Sequence, residues 1–208
     1  GANYGTDGQV LTSGGAGAAP AWEDAAGGLT AKQEGTNFTN SLLVGHATSG
    51  TLSSADRNTG VGIAALDALT SGDDNVALGY NAGSGVTYAT GVVYIGSDAG
   101  RTSGGASHDT AIGYRARQQA TGSYNTAVGK DAQFGNAQSG TYNTSVGIET
   151  LQAITTGDSN TALGSNAGQN ITTGSGNVII GNIDAGSATG DRQLLIAGND
   201  TSTSTTWI

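Results

Sequence analysis

A glycine returns at near-constant spacing from Gly45 to Gly198, through Gly62, Gly79, Gly96, Gly113, Gly129, Gly147, Gly164 and Gly181. The nine steps are 17, 17, 17, 17, 16, 18, 17, 17 and 17, which span 153 residues with a mean of 17. A fixed period of this length restricts a chain to stacked, nearly identical units, each touching only its neighbours.

With each marker glycine taken as position 0, other columns align. Position −1 is a branched aliphatic at Val44, Val61, Leu78, Ile95, Ile112, Val128, Val146, Leu163 and Ile180, and Ala197 ends the column. Position −3 is mostly β-branched: Thr59, Val76, Val93, Thr110, Thr126, Thr144, Thr161 and Val178. Between them stands a small residue in most units, as at Gly60, Ala77, Ala111, Ala127, Ser145 and Ala162. This alternation predicts a short strand with positions −1 and −3 on its buried face. Position −4 is Asn58, Asn75, Asp109, Asn125, Asn143, Asn160 and Asn177. Alanine recurs at +3, and a second apolar column at +7 includes Leu52, Leu69, Val86, Ala120, Ile154 and Ile171. A Ser/Thr-Gly turn closes each unit, as at Ser71-Gly72 and Thr156-Gly157.

The fold class that follows is all-β: a parallel β-solenoid of about ten 17-residue coils spanning 40–198. Glycine corners supply positive φ without steric cost. Coils piled at the strand spacing of ~4.8 Å would form a rod roughly 45 Å long. Stacked asparagines are expected to hydrogen-bond from coil to coil, as in cross-β ladders.

Composition limits the alternatives. The 37 glycines lack the every-third-residue pattern of collagen. A net charge of −9, with seven basic residues, argues against nucleic acid or an anionic membrane as partner. No apolar run approaches the ~20 residues of a membrane-spanning helix. The chain starts with glycine and has no signal segment, so it reads as a piece of a longer product.

Each coil offers few aliphatics, each stabilising by ~1.5–3 kcal/mol on burial. Ordering the backbone costs ~1–2 kcal/mol per residue. The arithmetic favours a homotrimer, intertwined or side by side, in which three chains share one interior. A single-chain solenoid is the alternative.

The phrase Asn-x-Ala-aliphatic-Gly-x-x-Ala, at Asn75, Asn125 and Asn160, resembles the head repeat of trimeric autotransporter adhesins. Related repeats occur in tail-fibre proteins of tailed phages. The resemblance covers 40–198 and implies a left-handed parallel β-roll three chains wide. Residues 1–39 include GTDGQVLTSGGAGAAPAWED, which is similar to a module of phage tail fibres. The similarity implies buried anchors at Val10, Leu11 and Trp22. A flexible Gly/Ala linker is the other reading of that stretch, and 28–39 reads as a connector. Residues 199–208, within RQLLIAGNDTSTSTTWI, resemble the segment before a C-terminal trimerisation chaperone. Together these resemblances imply a structural segment of a virion fibre: a rigid spacer with a part in host-surface attachment, joined to other fibre proteins. A bacterial cell-surface adhesin head is the alternative.

Chemistry is thinly represented, and the chain is read as non-enzymatic. It has neither a Gly-x-Ser-x-Gly elbow nor a cysteine. His46 and His108 fall near corners and read as solvated. The run Gly60–Ala65 imitates a dinucleotide fingerprint but recurs in every coil without a following helix pattern. Asp73, Asp74 and Asp158 follow turn glycines, while Asp98 and Asp131 alternate with Asn81 and Asn166, which suits turn bonding. The Gly-Gly-x-Gly-x-Asp calcium repeat is missing, so no metal or cofactor is expected. A polysaccharide-degrading solenoid would want carboxylates clustered on a widened coil, and here they follow the repeat. Sequons at Asn37, Asn143, Asn170 and Asn199 are read as accidents of composition. Tyr80, Tyr114, Tyr124 and Tyr142 are the candidate surface-recognition residues, for a host glycan or for contacts between chains.

Overall fold

A computed structural model of the chain describes residues 9–12, 21–24, 31–35, 38–45, 53–135, 138–200 and 203–206. The chain divides into two compact units, Gly1–Thr30 and Ala31–Ile208.

In the first unit, β1 (Gln9–Thr12) pairs antiparallel with β2 (Ala21–Asp24), with Leu11 opposite Trp22. The side-chain burial expected of Val10, Leu11 and Trp22 lies outside the described residues.

The second unit is one twelve-stranded sheet whose spatial order follows the sequence. It begins with β3 (Ala31–Gly35), inside the segment read as a connector, and β4 (Phe38–Val44). Eight three-residue strands follow: β5 (Thr59–Val61), β6 (Val76–Leu78), β7 (Val93–Ile95), β8 (Thr110–Ile112), β9 (Thr126–Val128), β10 (Thr144–Val146), β11 (Thr161–Leu163) and β12 (Val178–Ile180). It ends with β13 (Leu194–Asp200) and β14 (Thr203–Thr206). From β4 to β13 all ten strands are parallel, while β3 and β14 add antiparallel strands at the two ends. From Val44 to Ile180, every −1 residue lies over the one before it. The irregular steps keep this register too, since Val128 pairs with both Ile112 and Val146. The last coil is one residue shorter than its marker suggests: Ile196 pairs with Ile180, so Ala197 and not Gly198 takes the corner. The described residues contain no helix.

The marker glycines explain the regularity. At Gly129, φ is 139°, and a Cβ would sit 2.2 Å from the Gly147 carbonyl oxygen of the next coil. Backbone is packed directly on backbone there, so no other residue fits. Position +4 behaves differently, because Leu66, Arg117, Gln133 and Leu151 hold left-handed φ of 47–57° despite their side chains. What favours them is burial: all four are enclosed in the coil.

The burial pattern corrects one expectation. Positions −1 and −3 are on the outside of the coil, and the small residue between them faces in. Ala77, Ala111, Ala127 and Ala162 are buried, as are Tyr94 and Ile179 in the same column. Strand side chains alternate, so one inward position fixes the rest. That position is −4, whose amide is needed inside. Once it points in, −2 must follow, and the interior is narrow enough that alanine usually fills it. The +3 alanines and the +7 residues Leu69, Val86, Ile154 and Ile171 are buried as expected. Each coil thus closes an interior within one chain.

Two side-chain ladders link the coils. In the first, the backbone N–H of one −4 residue donates to the side-chain oxygen of the preceding one. The links from Asn143 to Asn125, Asn160 to Asn143 and Asn177 to Asn160 measure 2.9, 2.9 and 3.0 Å. Amides of this column also donate through Nδ2 to turn-glycine carbonyls: Asn58 to Gly72, Asn143 to Gly157 and Asn160 to Gly174, at 2.8–2.9 Å. The expected asparagine ladder is therefore present, with each of these amides satisfied by backbone as well. The second ladder, at position −6, runs the other way. Backbone N–H groups of Asp56, Thr90, Asp158 and Ser175 donate to Asp73, Ser107, Ser175 and Asp191 of the following coil at 2.7–3.1 Å.

Candidate interaction surface

The outward half of each strand, with its two flanking residues at −5 and +1, makes one continuous band along the parallel sheet. Its centre is apolar or threonine. Val61, Leu78, Val146 and Leu163 are 37–48% exposed, and Ile95, Ile112, Val128 and Ile180 are half-buried. Thr59, Thr110, Thr126, Thr144 and Thr161 share the −3 column with valines. At the +1 border Ile63, Tyr80, Tyr114 and Ile148 are 46–63% exposed. No charged residue interrupts positions −3 and −1 from Thr59 to Ile180. Scattered exposed aliphatics are ordinary, whereas here they are aligned in one column, which makes this band the candidate surface.

The four candidate tyrosines do not converge. Tyr80 and Tyr114 stand at +1, whereas Tyr124 and Tyr142 stand at −5, at the opposite end of the strand. At −5 the rings of His108, Tyr124 and Tyr142 form a stack with centroid spacings of 5.0 and 5.1 Å. The ring faces within that stack are turned toward one another. At the +1 side the Arg115 guanidinium lies 4.8 Å from the Tyr114 ring and 4.4 Å from that of Phe134.

The carboxylates are structural partners. Asp73 and Asp158 accept backbone N–H groups of the preceding coil at 2.7 and 2.6 Å. Asp74 pairs with Arg57, whose guanidinium holds its carboxyl below the usual carboxylate range. Asp131 receives Arg115 and Lys130, both at 2.7 Å. Among the described residues, no group of three or more His, Asp and Glu side chains is placed to hold a metal ion. His46 lies outside the described residues. The Asn143 sequon is buried in the amide ladder.

One cluster was missed in the sequence. Asp109 replaces asparagine in the −4 ladder, and Arg117 replaces glycine or leucine at +4 of the same coil. Both are fully enclosed, with Arg117 Nη2 donating to Asp109 Oδ2 at 3.0 Å and to the Gly122 carbonyl at 2.6 Å. Arg117 Nη1 donates to Gln133 Oε1 at 2.7 Å, and Gln133 Nε2 donates to Ser145 Oγ at 3.0 Å. Burial pushes the Asp109 carboxyl above its ordinary value, although the Arg117 charge opposes this. The signal was available: two columns change to opposite charges within one coil.

Together the repeat, register and ladders define a parallel β-solenoid with coils of about 17 residues. No protein-family model matches the chain, and no curated protein or solved structure matches it.

Proposed function

We propose that this chain is a structural fibre segment of a tailed-phage tail fibre, a rigid trimeric spacer with a part in attachment to the host surface. One observation carries the reading: the −1 and −3 columns lie on the outside of the coil, half-buried to exposed, apolar or threonine, and unbroken by charge, although each coil already has an interior. Three such bands brought around a common axis would remove them from water at ~25 cal/mol per Å² of apolar surface. The repeat phrase at Asn75, Asn125 and Asn160 supports the same assignment by its resemblance to fibre and adhesin repeats. Stacked coils transmit load without flexible linkers, and three copies at one tip raise avidity for a repeated surface receptor.

The native mass tests this. Three chains of 20.3 kDa give about 61 kDa by sedimentation equilibrium. Val128→Asp places a charge in the centre of the band and outside the coil interior. It should yield a folded 20.3 kDa chain with an unchanged β spectrum. A wild-type chain that is a stable monomer at micromolar concentration overturns the proposal.

A further inference from the structure

We infer that the −5 edge of the band in one copy seats against the +1 edge of the next copy at the same coil level, so that three parallel chains close a ring in register. This rests on the trimeric reading above and specifies its seams.

The observation is a matching of size between two columns of the same coil that cannot meet within one chain. Where −5 is small, +1 is small: Gly91 goes with Ser97, Ser159 with Ser165, and Gly176 with Asn182. Where −5 is large, +1 is large: His108 goes with Tyr114, Tyr124 with Lys130, and Tyr142 with Ile148. Arg57 beside Ile63 in the first of these coils follows the same sense, whereas Asp74 beside Tyr80 and Arg192 beside Gly198, near the two ends of the stack, depart from it. Six residues separate the two positions, with a whole three-residue strand and the glycine corner between them. Side chains at those two ends have no direct reason to agree in size. A neighbouring copy supplies one. If the axis runs along the −3 and −1 columns, the −5 border of one band meets the +1 border of the next. This contact joins different patches and is therefore heterologous, and it closes into a ring when the rotation is a third of a turn.

The chemistry of the matched pairs is consistent. Tyr142 facing Ile148 buries two side chains that are 60% and 50% exposed in the single chain. Gly91 facing Ser97 and Ser159 facing Ser165 allow the backbones to approach where the bulk is absent.

Cysteine cross-linking tests the seam, and the natural chain contains no cysteine to interfere. Ser159→Cys and Ser165→Cys are made singly and together in the full chain, and each protein is oxidised and run on a denaturing gel without reductant. A disulfide requires Cα atoms within about 7 Å, so the two positions cannot join inside one chain. Covalent dimers and trimers from the double variant alone support the seam. Dimers from a single variant show that like edges meet, and overturn it. No cross-link in a double variant whose native mass is still about 61 kDa overturns the seam but leaves the trimer standing. No cross-link at 20.3 kDa, in wild type and variant alike, overturns both.

Discussion

The solenoid fills its interior in two ways. At both ends the coils are apolar: Leu43, Leu66, Leu69 and Val86 on one side, and Leu151, Ile154, Ile171 and Ile179 on the other. Between them the +4 column carries Arg117 and then Gln133, with Asp109 in the ladder and Ser145 at −2. The backbone hardly registers the change, since strands β8 to β10 keep the same register as their neighbours. Coil geometry is therefore set by the glycine corners and the amide ladders, and the filling varies between apolar side chains and a polar network that leaves Arg117 Nε and both polar atoms of the Gln138 amide without a side-chain or backbone partner.

That comparison breaks most clearly at Arg117. Arg117→Leu puts into the polar section a residue the same column accepts at Leu66 and Leu151, with compatible φ. It leaves Asp109 buried with its cation gone, and such a loss costs about 3–5 kcal/mol. In the apolar section Leu151→Ala removes only packing, at a cost of about 2–5 kcal/mol depending on how far the coil collapses. Urea denaturation of both variants checks this. Arg117→Leu being as stable as wild type would mean that Asp109 is not charged inside the fold.

Adding Asp109→Asn to Arg117→Leu restores the repeat consensus, and most of the loss should return. The introduced amide could donate to the Gly122 carbonyl that Arg117 now serves, as Asn58 does to Gly72 at 2.8 Å. Gln133 Oε1 alone would keep no donor from Arg117, a residual loss of about 1–3 kcal/mol. Equal stability of the double variant and Arg117→Leu would show that the two residues act independently.

The period, the strands, the +3 and +7 columns and the asparagine ladder were all legible in the sequence, because stacking repeats each physical requirement from coil to coil. Strand parity was not. Hydrophobicity pointed to Val61 and Leu78 as interior residues, but the buried amide at Asn58 and Asn75 determines which side faces in. The −6 ladder was hidden because aspartate and serine perform the same acceptor role at Asp73, Ser107 and Asp191, so no single letter repeats. The division of the candidate tyrosines between two borders was hidden for a related reason: Tyr80 and Tyr124 belong to columns at opposite ends of a strand, which linear proximity to corners does not reveal.

The smallest effect, and the sharpest in sign, contrasts the buried pair with its surface counterpart. Burial would raise the Asp131 carboxyl, but hydrogen bonds from Arg115 and Lys130, with their charges, hold it below its ordinary value of 3.8. Its contribution is thus present above that value and lost as pH falls through the lower folded value. Asp109 behaves oppositely. Its folded value is raised, so its contribution is complete below 3.8 and declines as pH rises through the folded value. Both partners of Asp131 are exposed at their ends, with side chains 33% and 50% accessible, so solvent screening keeps this pair the weaker of the two. Asp131→Asn should flatten the acid limb of the stability profile and lose sensitivity to salt. The Asp109→Asn, Arg117→Leu double variant should instead remove the decline toward neutral pH and leave the acid limb intact. Identical profiles for the two proteins in urea melts across the acidic range would mean that enclosure in the coil does not distinguish these carboxylates.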